Sequence, residues 1–247
     1  MLNNNLITIK EPKSPISEAY RTLRTNIKFS SFDDVIKTIF VTSSMPGEGK
    51  STTSVNFAVT LAQGGDKVIL IDCDLRKPNI HKLFNISNEK GLSNAISNLE
   101  DKDELIHKNL LPNLDVLTSG VKVPNPSELL SSKSMRDFIK MLGSFYDYII
   151  LDTPPVAVIT DAQIISQYAD GGIFVVASGE VDRDVVIKAK NMLKQVNSRI
   201  LGVILNKVGG SGKGYYNYNY YYYSNDETKE KRRKKIGFFR KISFIRR

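Results

Sequence analysis

The chain has 247 residues, with 35 Lys and Arg against 26 Asp and Glu and a single cysteine. That length holds one large α/β domain, or one domain with a tail, and a lone cysteine excludes an intramolecular disulfide framework. The net charge of +9 is local: residues 229–247 carry ten Lys/Arg and one Glu, and the preceding 228 residues balance at 25 of each sign. An overall pI therefore gives no argument for nucleic-acid binding by the globular part.

The start, Met1 to Asn5, lacks a charged segment followed by an apolar run, and no uncharged apolar stretch reaches the roughly 18 residues of a spanning helix. We expect a chain that is neither secreted nor membrane-spanning, with Cys73 in a reducing compartment. Residues 1–15 are polar with two prolines and read as an irregular arm. Ser17 then caps a helix to about Phe29, in which Ala19, Leu23 and Ile27 give an apolar face. Glu18, Arg21 and Arg24 step by three along a roughly opposite face, which reads either as solvated charge or as a subunit contact.

Strands and helices alternate from there. We expect strands at 37–42, 67–71, 114–118, 146–151, 172–177 and 200–206, and helices at 50–63, 127–142 and about 182–196. Gly64-Gly65 ends the first of those helices. Apolar runs without alternation, joined by helices, imply a mainly parallel sheet covered on both faces, with ligands beyond the carboxyl ends of its strands.

The stretch Ile39 to Ser54 carries the strongest signal. An apolar run stops at Ser43-Ser44-Met45-Pro46-Gly47-Glu48-Gly49, and Lys50-Ser51-Thr52 opens the next helix. This is a phosphate-binding loop: Gly47 and Gly49 let backbone N–H groups turn towards one anion, Lys50 reaches the β- and γ-phosphates, and the Ser51 hydroxyl ligates Mg²⁺. Ser44 holds the place of the first Gly in the common pattern, which makes the loop a variant. Two later strands end in acids, one at Asp72-Cys73-Asp74-Leu75-Arg76 and one at Asp152-Thr153-Pro154-Pro155. Three carboxylates thus converge on the loop, and a few acids acting directly or through water suit Mg²⁺.

Of eleven tyrosines, seven lie within 215–223: Tyr215, Tyr216, Tyr218, Tyr220, Tyr221, Tyr222 and Tyr223. The glycine-rich lead at 209–212 and the lack of core aliphatics place the domain at 1–208 and a flexible tail at 209–247. Composition leaves three readings of the cluster open: a substrate tail, a linker, or a stacking surface for nucleic acid.

Asp72-x-Asp74-x-Arg76 resembles the second, "A-prime" Walker motif of the bacterial tyrosine kinases, and Asp152-x-x-Pro155 resembles their Walker B. The run 72–78, the segment Asn125-Pro126-Ser127-Glu128-Leu129-Leu130 and the run 146–155 are similar to that family's cytoplasmic kinases for capsular and exopolysaccharide export. Glu18-x-x-Arg21-x-x-Arg24 resembles its subunit-contact motif. The resemblance covers roughly residues 14–223. Related Min-type and Par-type ATPases share the loop but usually carry an extra early lysine; here no Lys lies between Lys37 and Lys50.

The resemblance implies ATP and Mg²⁺, with Lys50, Asp72, Asp74 and Asp152 in catalysis and Gly47, Glu48, Gly49, Lys50, Ser51, Thr52 and Asn206 at the nucleotide. Ser51, Asp74 and Asp152 would hold the metal, Asp72 would be the base or orienting group, and Asn206 would contact adenine, or else cap a turn. It further implies autophosphorylation of the tyrosine cluster and a ring-like homo-oligomer through Glu18, Arg21 and Arg24. A separate membrane activator of the polysaccharide co-polymerase type and a tyrosine phosphatase are the implied partners, and no nucleic acid. The basic segment 229–247, interleaved with Ile and Phe, suits an anionic membrane surface, which would put the chain in the cytoplasm at the inner face of the membrane. A Min/Par-like positioning ATPase and a nucleotide-binding regulator without transfer are the alternatives.

Overall fold

The computed structural model describes residues 6–30, 35–97 and 104–208, and the backbone of 241–245. Its elements are α1 (Ile7–Lys10), α2 (Pro15–Ser30), β1 (Thr38–Ser43), α3 (Lys50–Gln63), β2 (Val68–Asp72), α4 (Ile80–Phe84), α5 (Leu92–Ile96), β3 (His107–Leu111) and β4 (Leu114–Leu117). Then follow α6 (Pro126–Ser131), α7 (Lys133–Leu142), β5 (Tyr148–Asp152), α8 (Asp161–Ile165), β6 (Gly171–Ala177), α9 (Arg183–Gln195), β7 (Ile200–Val208) and β8 (Lys241–Ile245).

The sheet runs β3-β4-β2-β5-β1-β6-β7-β8. The strands from β4 to β7 are parallel, and the outer pairs β3/β4 and β7/β8 are antiparallel. Side chains of period two divide between two cores, as a sheet covered on both faces requires. Ile39, Val41, Val68, Leu70, Ile150, Ile173 and Val175 face one core with Tyr20, Leu23 and Ile27 of α2 and the apolar side of α3. Phe40, Ile69, Ile71, Ile149, Leu151 and Phe174 face the other, with Phe138 and Leu142 of α7 and Leu193 of α9. This layering places the ends of β1, β2 and β5 side by side, Asp72 in register with Asp152 and Asp152 with Val41.

Several boundaries differ from the sequence expectation. The arm contains a helical turn at α1, tied down where the Ser17 hydroxyl donates to Glu11 O at 2.7 Å. Helix α2 begins at Pro15 rather than Ser17, because Pro suits the first helical position and the Ser14 hydroxyl accepts the Ser17 N–H at 3.2 Å. The single helix expected at 127–142 is two: Ser132 is extended at ψ 157°, and its hydroxyl accepts the Met135 N–H at 3.1 Å to start α7. Strand β3 was hidden because His107–Leu111 does not alternate and is partly exposed along its length.

Residues 241–245 also depart from a wholly flexible tail. They pair antiparallel with β7, Ile204 opposite Phe244 and Leu205 opposite Ser243, so β7 has a neighbour on each side. The remaining tail, including the tyrosine cluster and most of the basic segment, lies outside the described residues. Among the described residues, no helix is long and apolar enough to cross a membrane.

Candidate active site at the carboxyl edge of the sheet

The loop between β1 and α3 turns through two left-handed glycines, Gly47 at φ 86° and Gly49 at φ 93°. Gly49 is fixed by space as well, since a Cβ there would lie 2.1 Å from Nδ2 of Asn206. Lys50 then opens α3, with the Ser51, Thr52 and Thr53 positions forming its first turn, the geometry of an anion site at a helix N-terminus.

The acids gather where the adjacent strands end. Lys50 Nζ lies 3.1 Å from Asp74 Oδ2, 3.5 Å from Asp152 Oδ2 and 3.2 Å from the Ser51 hydroxyl. Asp152 is fully buried, and its Oδ1 accepts the Ser54 hydroxyl at 2.9 Å. Burial lowers the tendency of Lys50 to hold its proton, but the charges of Asp152, Asp74 and Asp72 outweigh it and raise its pKa. Burial pushes Asp152 upward against the opposing pull of Lys50, Ser51 and Ser54.

Asp72 has a different setting. One oxygen accepts the Asp74 N–H at 3.1 Å, and the other accepts the N–H groups of Asn79 and Ile80 at 3.0 Å each. The carboxylate thus ties the A-prime loop to the start of α4, and Asp74 in turn accepts the Lys77 N–H at 3.0 Å. Burial, and next the charge of Asp152, push Asp72 up to about 7 in spite of those donors. The thiol of Cys73, buried between the two acids, is also raised, first by burial.

The structure therefore brings together Gly47, Gly49, Lys50, Ser51, Asp72, Asp74 and Asp152. Oxygen donors around an ammonium fit a hard cation such as Mg²⁺. Among the described residues no group of three His, Cys, Asp or Glu could hold a metal by itself, so phosphate and water oxygens would complete its shell. Asn206 reaches the loop too, but its amide donates to Glu48 O at 2.8 Å and accepts the Lys207 N–H at 2.8 Å.

Glu18, Arg21 and Arg24 lie apart from this cluster, on α2. Arg21 pairs with Glu18 and donates to Pro12 O, and Arg24 donates to Thr60 O of α3 at 2.8 Å. Arg24 is thus half-buried against its own chain instead of lying wholly on an outer face.

Sequence reasoning missed two contributors. Ser54 holds Asp152, and its only signal was its place one turn after Lys50. Asp161, fully buried, receives Arg76 Nε at 3.0 Å and the Ser127 hydroxyl at 2.6 Å, which ties the loop after β2 to the first turns of α6 and α8. No motif marked it. Glu48 was expected at the nucleotide, but the loop pattern leaves its residue type open and gave no sign of its side-chain partners Ser44, Met45 and Ala177.

The ParA family, described as NUBPL iron-transfer P-loop NTPase, matches residues 34–245. Tyrosine-protein kinase YwqD of Bacillus subtilis (strain 168) is 45% identical over 205 residues, 83% of this chain and 86% of that protein. Among solved structures, the kinase domain of Escherichia coli tyrosine kinase ETK has a TM-score of 0.81 at 31% identity, over 87% of this chain and 85% of that one. The chimerical protein CapA2B2 has a TM-score of 0.78 at 41% identity, over 81% and 88%.

Proposed function

Since this chain belongs to the bacterial tyrosine-kinase family of ParA-type P-loop NTPases, a family of protein-tyrosine kinases, we propose that it moves the γ-phosphoryl of ATP onto tyrosines of its own C-terminal cluster and onto other proteins. The observation that carries the reading is the placement of the Asp72–Asp74 loop against Lys50, a second acidic loop beside the phosphate loop. Tyr215 to Tyr223 supply acceptors on the same chain.

The loop N–H groups and Lys50 hold the phosphates and meet the charge that develops on the transferred group. Nucleotide entry would draw the Lys50 ammonium from Asp74 and Asp152 to the phosphates and free those carboxylates, with Ser51, to hold Mg²⁺. The chemistry a metal held there would supply is neutralisation of phosphate charge. In the transfer, the bond from the γ-phosphorus to the β,γ-bridging oxygen breaks, a bond to the tyrosine oxygen forms, ADP leaves, and the phenol loses its proton. Asp72 shapes the acidic loop and accepts that proton or orients the hydroxyl. At about 7 it lies closer to a phenol near 10 than an ordinary carboxylate does. The proton still moves as the new bond forms. Asn206 contributes its remaining amide valences to adenine.

The same reading extends to the cell. The chain acts in capsular or exopolysaccharide synthesis and export, in a ring-like homo-oligomer through the α2 face, with a separate membrane activator and an opposing tyrosine phosphatase. Its basic tail attaches it to the inner face of the membrane. Each phosphotyrosine adds about −1.5 to −2 charges, so five or six would roughly cancel the tail's charge and release it.

The test is incubation of purified protein with γ-labelled ATP. Label on tyrosine is expected, and hydrolysis without tyrosine label would favour a positioning ATPase. Eight residues separate Asn206 from Tyr215, a reach of up to about 26 Å, so chain length permits transfer within or between subunits. Mixing a Lys50→Met chain with an active chain whose seven clustered tyrosines are replaced by Phe decides: label on the Lys50→Met chain is expected, and none would refute transfer between subunits.

A further inference from the structure

Glu48 is 1% exposed, and its carboxylate collects three donors. Oε2 accepts the Ser44 hydroxyl and the Met45 N–H, each at 2.7 Å, and Oε1 accepts the Ala177 N–H at 3.0 Å. The Glu48 carbonyl accepts the Asn206 amide at 2.8 Å. One residue therefore links the start of the phosphate loop to the carboxyl ends of β6 and β7. Its partner Ser44, fully buried, stands where the common loop pattern has its first glycine, a residue with no side chain to offer a bond.

We propose that Glu48 and Ser44 are positioning residues for nucleotide binding, a buried brace that fixes the phosphate loop in its anion-cradling shape and takes the place of the missing first glycine. They touch no phosphate in this role and act through the loop's N–H groups. The proposal rests on the phosphate-loop assignment and is independent of whether tyrosine is the acceptor.

The chemistry of the brace orders the variants. An ionised carboxylate accepts on both oxygens. A Gln side chain oriented to accept from Ser44 and Met45 turns its NH₂ to the Ala177 N–H, and one donor loses its partner. Alanine leaves all three donors without one. Ser44→Ala removes a single bond and leaves the rest of the brace. A net hydrogen bond of about 0.5–1.5 kcal/mol corresponds to roughly 2- to 10-fold in affinity. Because the loop N–H groups cradle the α- and β-phosphates, ADP and ATP should suffer alike.

The experiment measures dissociation constants of fluorescent ADP and ATP analogues with Mg²⁺ on the full chain, beside thermal melting. Ser44→Ala and Glu48→Gln should each weaken both nucleotides by about 2- to 10-fold, and Glu48→Ala by about 30-fold or more, on the same hydrogen-bond scale. Melting of Ser44→Ala and Glu48→Gln should fall by only a few degrees, the scale of one buried bond lost. Adding Ser44→Ala to Glu48→Ala should weaken binding no further, since the bond's acceptor has gone. If Glu48→Ala does not fold, Glu48→Gln and Ser44→Ala, each measured alone, carry the test. Unchanged affinity in folded Glu48→Gln, a lower melting temperature with unchanged affinity, or a further loss on adding Ser44→Ala to folded Glu48→Ala would overturn the brace. Wild type that binds both nucleotides but never labels tyrosine would instead refute the kinase reading and leave the brace standing.

Discussion

The Ser54 hydroxyl donates to Asp152 Oδ1 at 2.9 Å, from one turn into α3 to the last residue of β5. The bond leaves the other oxygen of that buried carboxylate turned to Lys50. Ser54→Ala would strip one acceptor site of its donor and let the carboxylate turn. A buried group left unsatisfied costs about 1–3 kcal/mol. The expected outcome is a moderate loss of stability in urea, and transfer that needs more Mg²⁺ to reach half its maximum. An unchanged Mg²⁺ requirement would separate Ser54 from the metal site.

Lys50 neutralises Asp74 and Asp152 in the nucleotide-free chain, and the proposed mechanism turns it to phosphate when nucleotide binds. Lys50→Met keeps the stem and removes the charge, so tyrosine labelling should fall by about 100-fold or more, the scale for loss of one preorganised charge-stabilising donor. Full labelling by this variant would remove Lys50 from the mechanism. The nucleotide-free variant should also be less stable at pH 8 than wild type, by several kcal/mol on the order of a broken buried ion pair. Urea titrations at pH 8 and pH 5 should show that gap narrowing at the lower pH, where protons replace the lost cation.

The phosphate loop was legible because its glycines, Lys50 and Ser51 are local in sequence and act within one turn of chain. The acids were legible because β2 and β5 are apolar runs that stop at Asp. The side-chain bonds of Glu48 and the place of Asp161 were opaque for the opposite reason: the partners of Glu48 include Ala177, 129 residues away, and Arg76 reaches Asp161 across 85. Such bonds exist only after β2, β5, β1 and β6 stand side by side. The split at Ser132 and the strand β3 were missed because a serine within an apolar helical pattern and a polar edge strand both lack periodic signal.

Asp72 carries a pH signature. Its folded pKa, about 7, lies above its ordinary 3.8, so between those values the folded chain keeps a proton that the unfolded chain releases. This contribution to stability is complete below about pH 4 and is lost as pH rises through 7. Asp72→Asn should therefore flatten the fall in melting temperature of nucleotide-free protein between pH 5 and pH 8. In catalysis, kcat/KM of wild type should rise with pH to a plateau above 7, and the variant should lose that limb along with most of its rate. An identical limb in the variant would assign the titration to another group.

Arg76 is the partner of a carboxylate with no exposure to water, so the two sides of the pair are unequal. Arg76→Ala leaves Asp161 with the Ser127 hydroxyl alone, and because the Arg76 side chain is 38% exposed and partly screened the cost should be about 1–3 kcal/mol. Arg76→Lys, which cannot present the same fork of donors, should recover only part of it. Chemical denaturation of both variants measures this. Equal stability of Arg76→Ala and wild type would show that solvent already screens the pair.

Asn206 is asked to do two things, and nucleotide choice separates them. Its amide holds Glu48 O from β7, and a hold on the loop weakens every nucleotide whatever its base. An adenine contact weakens only adenine nucleotides. Nδ2 has a second hydrogen and Oδ1 a second lone pair, so one side chain can serve both. Asn206→Ala should weaken ADP and GDP together by a few-fold, the scale of one lost hydrogen bond, with a further loss for ADP alone. Titration of the two diphosphates against wild type and variant gives both factors. Equal losses would confine Asn206 to the loop, and a loss for ADP with GDP unchanged would show that the bond to Glu48 contributes nothing to binding.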